Sequence, residues 1–222
     1  MIEFFQITGS ASFAVRMALE EAGAAYEEVN IHPRRRDEPA SFGEVNPLKR
    51  VPALREGDVT VYETGAVLLH LVDRFPEREL GPAVGEATRP ELYRWILWLA
   101  DTLHPGWWPM MRASASDPEA AAPAEIRKSG RARMDAHGAY LERELATGPW
   151  CLGERFSVAD LYLYMLTGWQ SYVPGYRLGG EHLRAHYERV GARPAVVRSR
   201  ELDDLAPNQL RYHPELRAGQ PT

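Results

Sequence analysis

The sequence of 222 residues contains one cysteine, which excludes a disulfide scaffold and a cysteine-built zinc ribbon or iron–sulfur site. No apolar run reaches the roughly 18 residues of a membrane span, so no transmembrane helix is expected. A basic excess is missing too: 26 Lys and Arg face 31 Asp and Glu. That balance argues against a nucleic-acid partner held by bulk electrostatics. No internal repeat occurs, and the opening MIEFFQITGS, with an acid at position 3 and no basic stretch, predicts no secretory signal. These absences predict a soluble, cytoplasmic globular protein that contacts neither nucleic acid nor membrane. What is present is 45% apolar residues over a length suited to one large or two small domains.

The two ends of the chain differ in pattern. Residues 2–7 (IEFFQI) form a β-prone run stopped by Thr8-Gly9-Ser10. Apolar spacing from Ser12 to Ala22, followed by Gly23, predicts a helix with a glycine stop. A second strand is predicted over 25–31, then the loop HPRRRDEP, then short strands over 51–54 and 59–62 separated by Arg55-Glu56-Gly57-Asp58. Thr64 to Phe75 reads as an amphipathic helix. The order β-α-β-loop-β-β-α predicts a small mixed sheet with helices on its faces. Beyond Leu80-Gly81-Pro82 only helical patterns remain: 89–103, a break at His104-Pro105-Gly106, then 125–145, 157–172, 182–190 and a last helix opened by Pro194. SASDPEAAAP reads as a loop or helix start, and the C-terminal residues from Gly219 as frayed. The acidic excess is confined to residues 1–80, with 9 basic against 14 acidic residues.

Three motifs carry chemistry. In Val51-Pro52-Ala53-Leu54 the proline cannot donate to a ladder, which suits a sheet edge or a cis bond. The main-chain groups of Val51 would then be free to pair with an extended peptide ligand; an ordinary loop-to-strand proline is the alternative. Tyr62-Glu63-Thr64-Gly65-Ala66 sets a carboxylate and a hydroxyl where strand becomes helix. Thr64 as N-cap, with the free N–H groups of the first turn, would hold a carboxylate, and Glu63 an ammonium. That combination receives the zwitterionic end of an amino acid, unless Thr64 is only a cap. Phe156-Ser157-Val158-Ala159-Asp160 is a capping box with a hydrophobic staple from Phe156 to Leu161, and reads as structural.

In this order the motifs resemble the cytosolic glutathione transferase superfamily over essentially the whole chain. Asn46-Pro47-Leu48-Lys49-Arg50-Val51-Pro52-Ala53-Leu54 resembles its cis-proline strand, and Tyr62-Glu63-Thr64-Gly65-Ala66-Val67 its γ-glutamyl corner, with Thr for the usual Ser. FSVADLYL resembles its capping motif and GARPAVVRS its late helix. The resemblance implies a thioredoxin-like α/β N-terminal domain over 1–80 that binds glutathione as co-substrate. It also implies an all-α domain over 81–222 that contributes a pocket for a small hydrophobic electrophile, and a homodimer. Val51 and Pro52 would meet the cysteinyl backbone, Glu63 and Thr64 the γ-glutamyl end. Arg50, Lys49 or the Arg34–Arg36 run would meet the glycyl carboxylate, although a run of three arginines also fits a solvated surface.

The family's thiolate donors are where this chain departs from it. The positions of the usual Tyr, Ser and Cys fall on Phe5, Gly9 and Ala11. A thiol with pKa near 8.5 needs a shift of roughly two units, about 2.7 kcal/mol, to ionise at neutral pH. One hydrogen bond to a charged group supplies ~1.5–3 kcal/mol, so a single donor suffices. Ser10 is the first candidate, with Ser12, Thr8 or a main-chain N–H as alternatives.

Leu103-His104-Pro105-Gly106-Trp107-Trp108-Pro109-Met110 resembles the bacterial beta class, where a histidine stands beside the active site, and so His104 joins the catalytic candidates. Its other reading is a helix-ending residue. Trp107, Trp108 and Met111, with Met110, Trp169 and Tyr172, are candidates for the electrophile pocket, and Trp95 and Trp98 for core. Cys151 lacks a helix-start context and reads as structural. His182 and His186 are spaced four apart but have no third ligand, so they read as solvated helix histidines and no metal is expected. Three functions stay open: conjugation of glutathione to an electrophile, glutathione-dependent disulfide or peroxide chemistry, and a non-catalytic binding protein.

Overall fold

The computed structural model describes residues 1–31, 39–113 and 124–205, which divide into two compact units. Arg34–Arg36, the whole of SASDPEAAAP and the C-terminal residues from 206 lie outside the described residues. One unit takes Met1–Arg74 together with the chain from Pro194, and the other takes Phe75–Arg193.

The first unit is built on a four-stranded sheet of order β2-β1-β3-β4, formed by β1 (Ile2–Gln6), β2 (Tyr26–Asn30), β3 (Ala53–Glu56) and β4 (Val59–Tyr62). β1 and β2 run parallel across helix α1 (Ser12–Ala22), whereas β3 is antiparallel to β1 and forms a hairpin with β4. At the hairpin tip Gly57 takes φ 60, a left-handed conformation that favours glycine. Helix α1 ends as its spacing predicts: Gly23 (φ 60) returns its N–H to Glu20 and Ala24 returns its own to Leu19. Successive β1 residues face opposite sides of the sheet. Phe5 joins Phe42, Val45, Ile31 and Ala53 in a core cluster. Phe42 and Val45 belong to α2 (Ala40–Val45), a six-residue helix that the apolar pattern does not reveal because it makes fewer than two turns. Helix α3 (Thr64–Arg74) packs with α1.

The second unit contains α4 (Arg89–Trp98), α5 (His104–Ala113), α6 (Ala124–Leu145), α7 (Val158–Gly168) and α8 (Glu181–Gly191). Every residue of α7 from Val158 to Thr167 is buried, which makes it the central helix. The expected break at His104-Pro105-Gly106 does not occur. Instead a π-helical turn, Leu99–Leu103, joins α4 to α5. Pro105 has no N–H to return to the preceding turn, and a widened turn absorbs that loss without ending the helix. The capping box stands as expected: Ser157 Oγ accepts the N–H of Ala159, and Asp160 reaches back to the N–H of Ser157 at 2.8 Å. The last helix, α9 (Pro194–Leu205), packs against α1 and so belongs to the first unit, not to the helical one. No described helix is long and apolar enough to cross a membrane.

Candidate functional site

Strand register brings the sequence motifs together. Phe5 pairs with Ala53 and Ala53 with Tyr62. Carrying both ladders one residue further sets Gln6 opposite Pro52 and Pro52 opposite Glu63. The turn Thr8–Ala11, the Val51–Pro52 bond and the Glu63–Thr64 junction therefore meet at one end of the sheet.

Each of these segments has a special backbone. Val51–Pro52 is a cis peptide. The Val51 side chain packs against the Phe5–Phe42 cluster, while its N–H and C=O find no partner among the described residues. Buried Asn46 shapes the approach to this bond by donating from Nδ2 to the Arg50 carbonyl at 2.7 Å and accepting the Leu48 N–H at 3.0 Å. Sequence reasoning overlooked Asn46 as a positioning residue, although an Asn before proline is a turn signal. Arg50 is exposed, as is Lys49 with φ 52.

Glu63 takes φ 72, a conformation that costs a non-glycine residue roughly 1–2 kcal/mol. Its carbonyl accepts the Val67 N–H at 2.9 Å, so Glu63, not Thr64, holds the N-cap position. Thr64 is the first helical residue and is buried. The exposed Glu63 carboxylate has no partner among the described residues. A carboxylate in a left-handed backbone, beside an uncapped helix start, is suited to an ammonium and a carboxylate of one ligand.

In the Thr8–Ala11 turn the serines engage each other. Ser10 Oγ donates to Ile7 O at 2.6 Å and lies 3.0 Å from Ser12 Oγ. A hydroxyl has one proton, so the Ser12 hydroxyl donates to Ser10, which also accepts the Ser12 N–H at 3.2 Å. Ser12 is fully buried and faces the Ile7 N–H at 3.4 Å. Both hydroxyls thus brace the turn. The Ala11 N–H and the buried Thr8 hydroxyl are among the donors that have no partner among the described residues. Phe5 is fully buried and stacks on Phe42 with centroids 5.5 Å apart, so the position of the usual tyrosine is occupied by core.

The helical candidates separate by burial. Trp107 is 0% exposed and packs edge-on against Tyr176, which corrects its expected place in an open pocket. Trp108, one residue further along α5, is 55% exposed, and Met111 is half-buried. Trp95 is core, as expected. His104 Nδ1 lies 2.8 Å from the Tyr162 hydroxyl, its ring 4.9 Å from Trp169. Burial pushes the His104 pKa down to about 4, so its imidazole is neutral at pH 7. A histidine whose pKa is lower folded than unfolded contributes its full stability above the unfolded value near 6.5 and loses it as pH falls toward 4. Chemical denaturation between pH 7 and 4 should show wild type losing roughly 2–3 kcal/mol more than His104→Gln.

His186 is not solvated: it is 1% exposed, and its Nε2 lies 2.9 Å from Asp160 Oδ1. Cys151, Asp160 and His186 present donor atoms within 4.8 Å of one another. Asp160, however, already accepts N–H groups from Cys151 at 2.7 Å, from Ser157 and from His186, so the cluster reads as a structural hub. Burial, then the neighbouring Asp160, pushes the Cys151 thiol up, which leaves it unreactive.

Two family models match the chain: "Glutathione S-transferase, N-terminal domain" over residues 2–73 and "Glutathione S-transferase, C-terminal domain" over residues 98–189. A sphingomonad glutathione S-transferase, solved in complex with glutathione, is 32% identical with a TM-score of 0.82, over 92% of this chain and 100% of that one. The chain belongs to the glutathione S-transferase superfamily. Among curated relatives, glutathione S-transferase GstA of Escherichia coli O157:H7 is 29% identical over 88% of this chain and 95% of its own. The disulfide-bond oxidoreductase YghU of Escherichia coli K12 is 28% identical over 83% of this chain and 66% of its own. This glutathione S-transferase-family chain thus carries the thioredoxin-like and helical domains of that fold.

Proposed function

We propose that this family member binds glutathione at the sheet end and conjugates it to a small hydrophobic electrophile, working as a homodimer. The observation that carries the reading is the convergence, through strand register, of the Thr8–Ala11 turn, cis Val51–Pro52 and the Glu63–Thr64 junction. Val51 N–H and C=O pair with the cysteinyl backbone. Glu63 takes the γ-glutamyl ammonium, and the first turn of α3 its carboxylate. Arg50 or Lys49 faces the glycyl carboxylate. The sulfur then points to the start of α1, where the Ala11 N–H and Thr8 hydroxyl are the donors left open. Ser10 and Ser12 hold the turn in shape. Trp108 and Met111 are the apolar groups offered to the electrophile, with His104 an uncharged hydrogen-bonding group.

A spectroscopic pH titration of the bound thiol tests the mechanism. The thiol should ionise about two units below the ordinary value near 8.5. Ser10→Ala should keep that shift while losing about 1 kcal/mol of stability from the turn, whereas Thr8→Val should raise the bound pKa. A normal pKa in Ser10→Ala would return the donor role to Ser10; a normal pKa in the wild type would leave a binding protein without activation. Glutathione-dependent disulfide reduction is the second reading, favoured by the likeness to YghU and by a buried Cys151 that forces any reactive sulfur to come with the ligand. Turnover with a mixed disulfide but none with electrophiles would select it.

A further inference from the structure

We infer that Asp203, on the C-terminal helix α9, is a positioning residue for the turn that receives the glutathione sulfur. The inference rests on the proposed glutathione reading. Gly9, the second residue of that turn, takes φ 73, and its N–H donates to Asp203 Oδ2 at 3.4 Å, across 194 residues of sequence. The other oxygen, Oδ1, lies 3.2 Å from Nε of Arg16. Arg16 is 1% exposed and its guanidinium also pairs with Glu28 of β2. One carboxylate therefore ties the Gly9 main chain to a buried arginine anchored in the sheet. A separate tie joins the far end of α1 to α9, where Arg198 Nε donates to Glu20 at 2.8 Å.

The arrangement separates positioning from charge. Ser10 and Ser12 brace the turn from within, but glycine reaches φ 73 without steric cost and leaves it as easily, so Asp203 adds a hold at Gly9 that the serines do not supply. By charge alone, removing a carboxylate near a thiolate would favour ionisation. A fall in turnover on removing Asp203 would therefore run against the field effect, as lost positioning predicts. The Arg198–Glu20 tie supplies the control, because it fastens α9 to α1 without touching the turn.

The test compares Asp203→Ala and Arg198→Ala in the full chain. Hydrogen exchange at the Gly9 amide, followed by NMR without ligand, should speed up in Asp203→Ala and stay at the wild-type rate in Arg198→Ala. With glutathione and a chlorinated aromatic electrophile, Asp203→Ala should lose about 3- to 10-fold in kcat, the worth of one hydrogen bond. KM for glutathione should change less than about twofold because the Glu63 corner is untouched. Arg198→Ala should keep kcat. Unchanged Gly9 exchange in Asp203→Ala, or equal kcat losses in both variants, would overturn the inference. A wild type that binds no glutathione would remove the parent reading and this role with it, while Gly9 exchange would still report whether the tie exists.

Discussion

Asp160→Ala is expected to lose about 3–5 kcal/mol of stability, enough to lower the unfolding midpoint by roughly 10 °C. The carboxylate is fully buried. It holds the N–H groups of Ser157 and Cys151 and the ring of His186 at 2.7–2.9 Å. Truncation leaves three buried donors unpaired, at ~1–3 kcal/mol each before relaxation. The loss should fall on the helical unit, since α7 is its centre and Asp160 joins the Cys151 loop and α8 to the start of that helix. Asp160→Asn keeps one acceptor oxygen and should lose about half as much. Thermal unfolding of the two variants checks the order, and an Asp160→Ala protein as stable as wild type would contradict the hub.

The second large effect is at Glu63, where stability and binding should move in opposite directions. Glu63→Gly removes a carboxylate that makes no contact among the described residues and relaxes a backbone held at φ 72. The variant should be about 1 kcal/mol more stable than wild type. It should also bind glutathione some 10- to 100-fold more weakly, because a charge-assisted hydrogen bond is worth ~1.5–3 kcal/mol. Glu63→Ala should lose the same affinity and gain nothing in stability, since alanine at positive φ keeps the strain. A protein that gives up stability to hold an acid in this conformation behaves as expected of a ligand site. Equal affinity in wild type and Glu63→Gly would mean that the γ-glutamyl end binds elsewhere.

Much of this was legible in the sequence because it is local. The spacing from Phe13 to Leu19 with Gly23 behind it defines α1, and Ser157 with Asp160 three residues on defines the cap of α7. The Val51–Pro52 and Glu63–Thr64 pieces were readable as residue types, but their meeting depends on register, which a one-residue slip would destroy. What was not legible is mostly tertiary. Helix α2 is too short to show a period. The π turn before His104 depends on how neighbouring helices hold a proline-containing segment, so Pro105 read as a break. Trp107 and Trp108 are adjacent yet one is core and the other exposed, a distinction set by which face of α5 meets its neighbours. His186 reads as solvated from its spacing alone, and only the fold sets it beside Asp160. The return of α9 to α1 joins residues nearly 200 positions apart, and no pattern in either segment announces it.

The proposed function stands on glutathione binding at the sheet end formed by Val51, Pro52, Glu63 and Thr64. Calorimetric titration of the intact protein with reduced glutathione tests it most directly. Saturable binding at one site per chain at or below millimolar ligand, weakened at least about tenfold in Glu63→Ala, is the predicted result. No saturable heat at millimolar glutathione, or full affinity retained in Glu63→Ala, would contradict it.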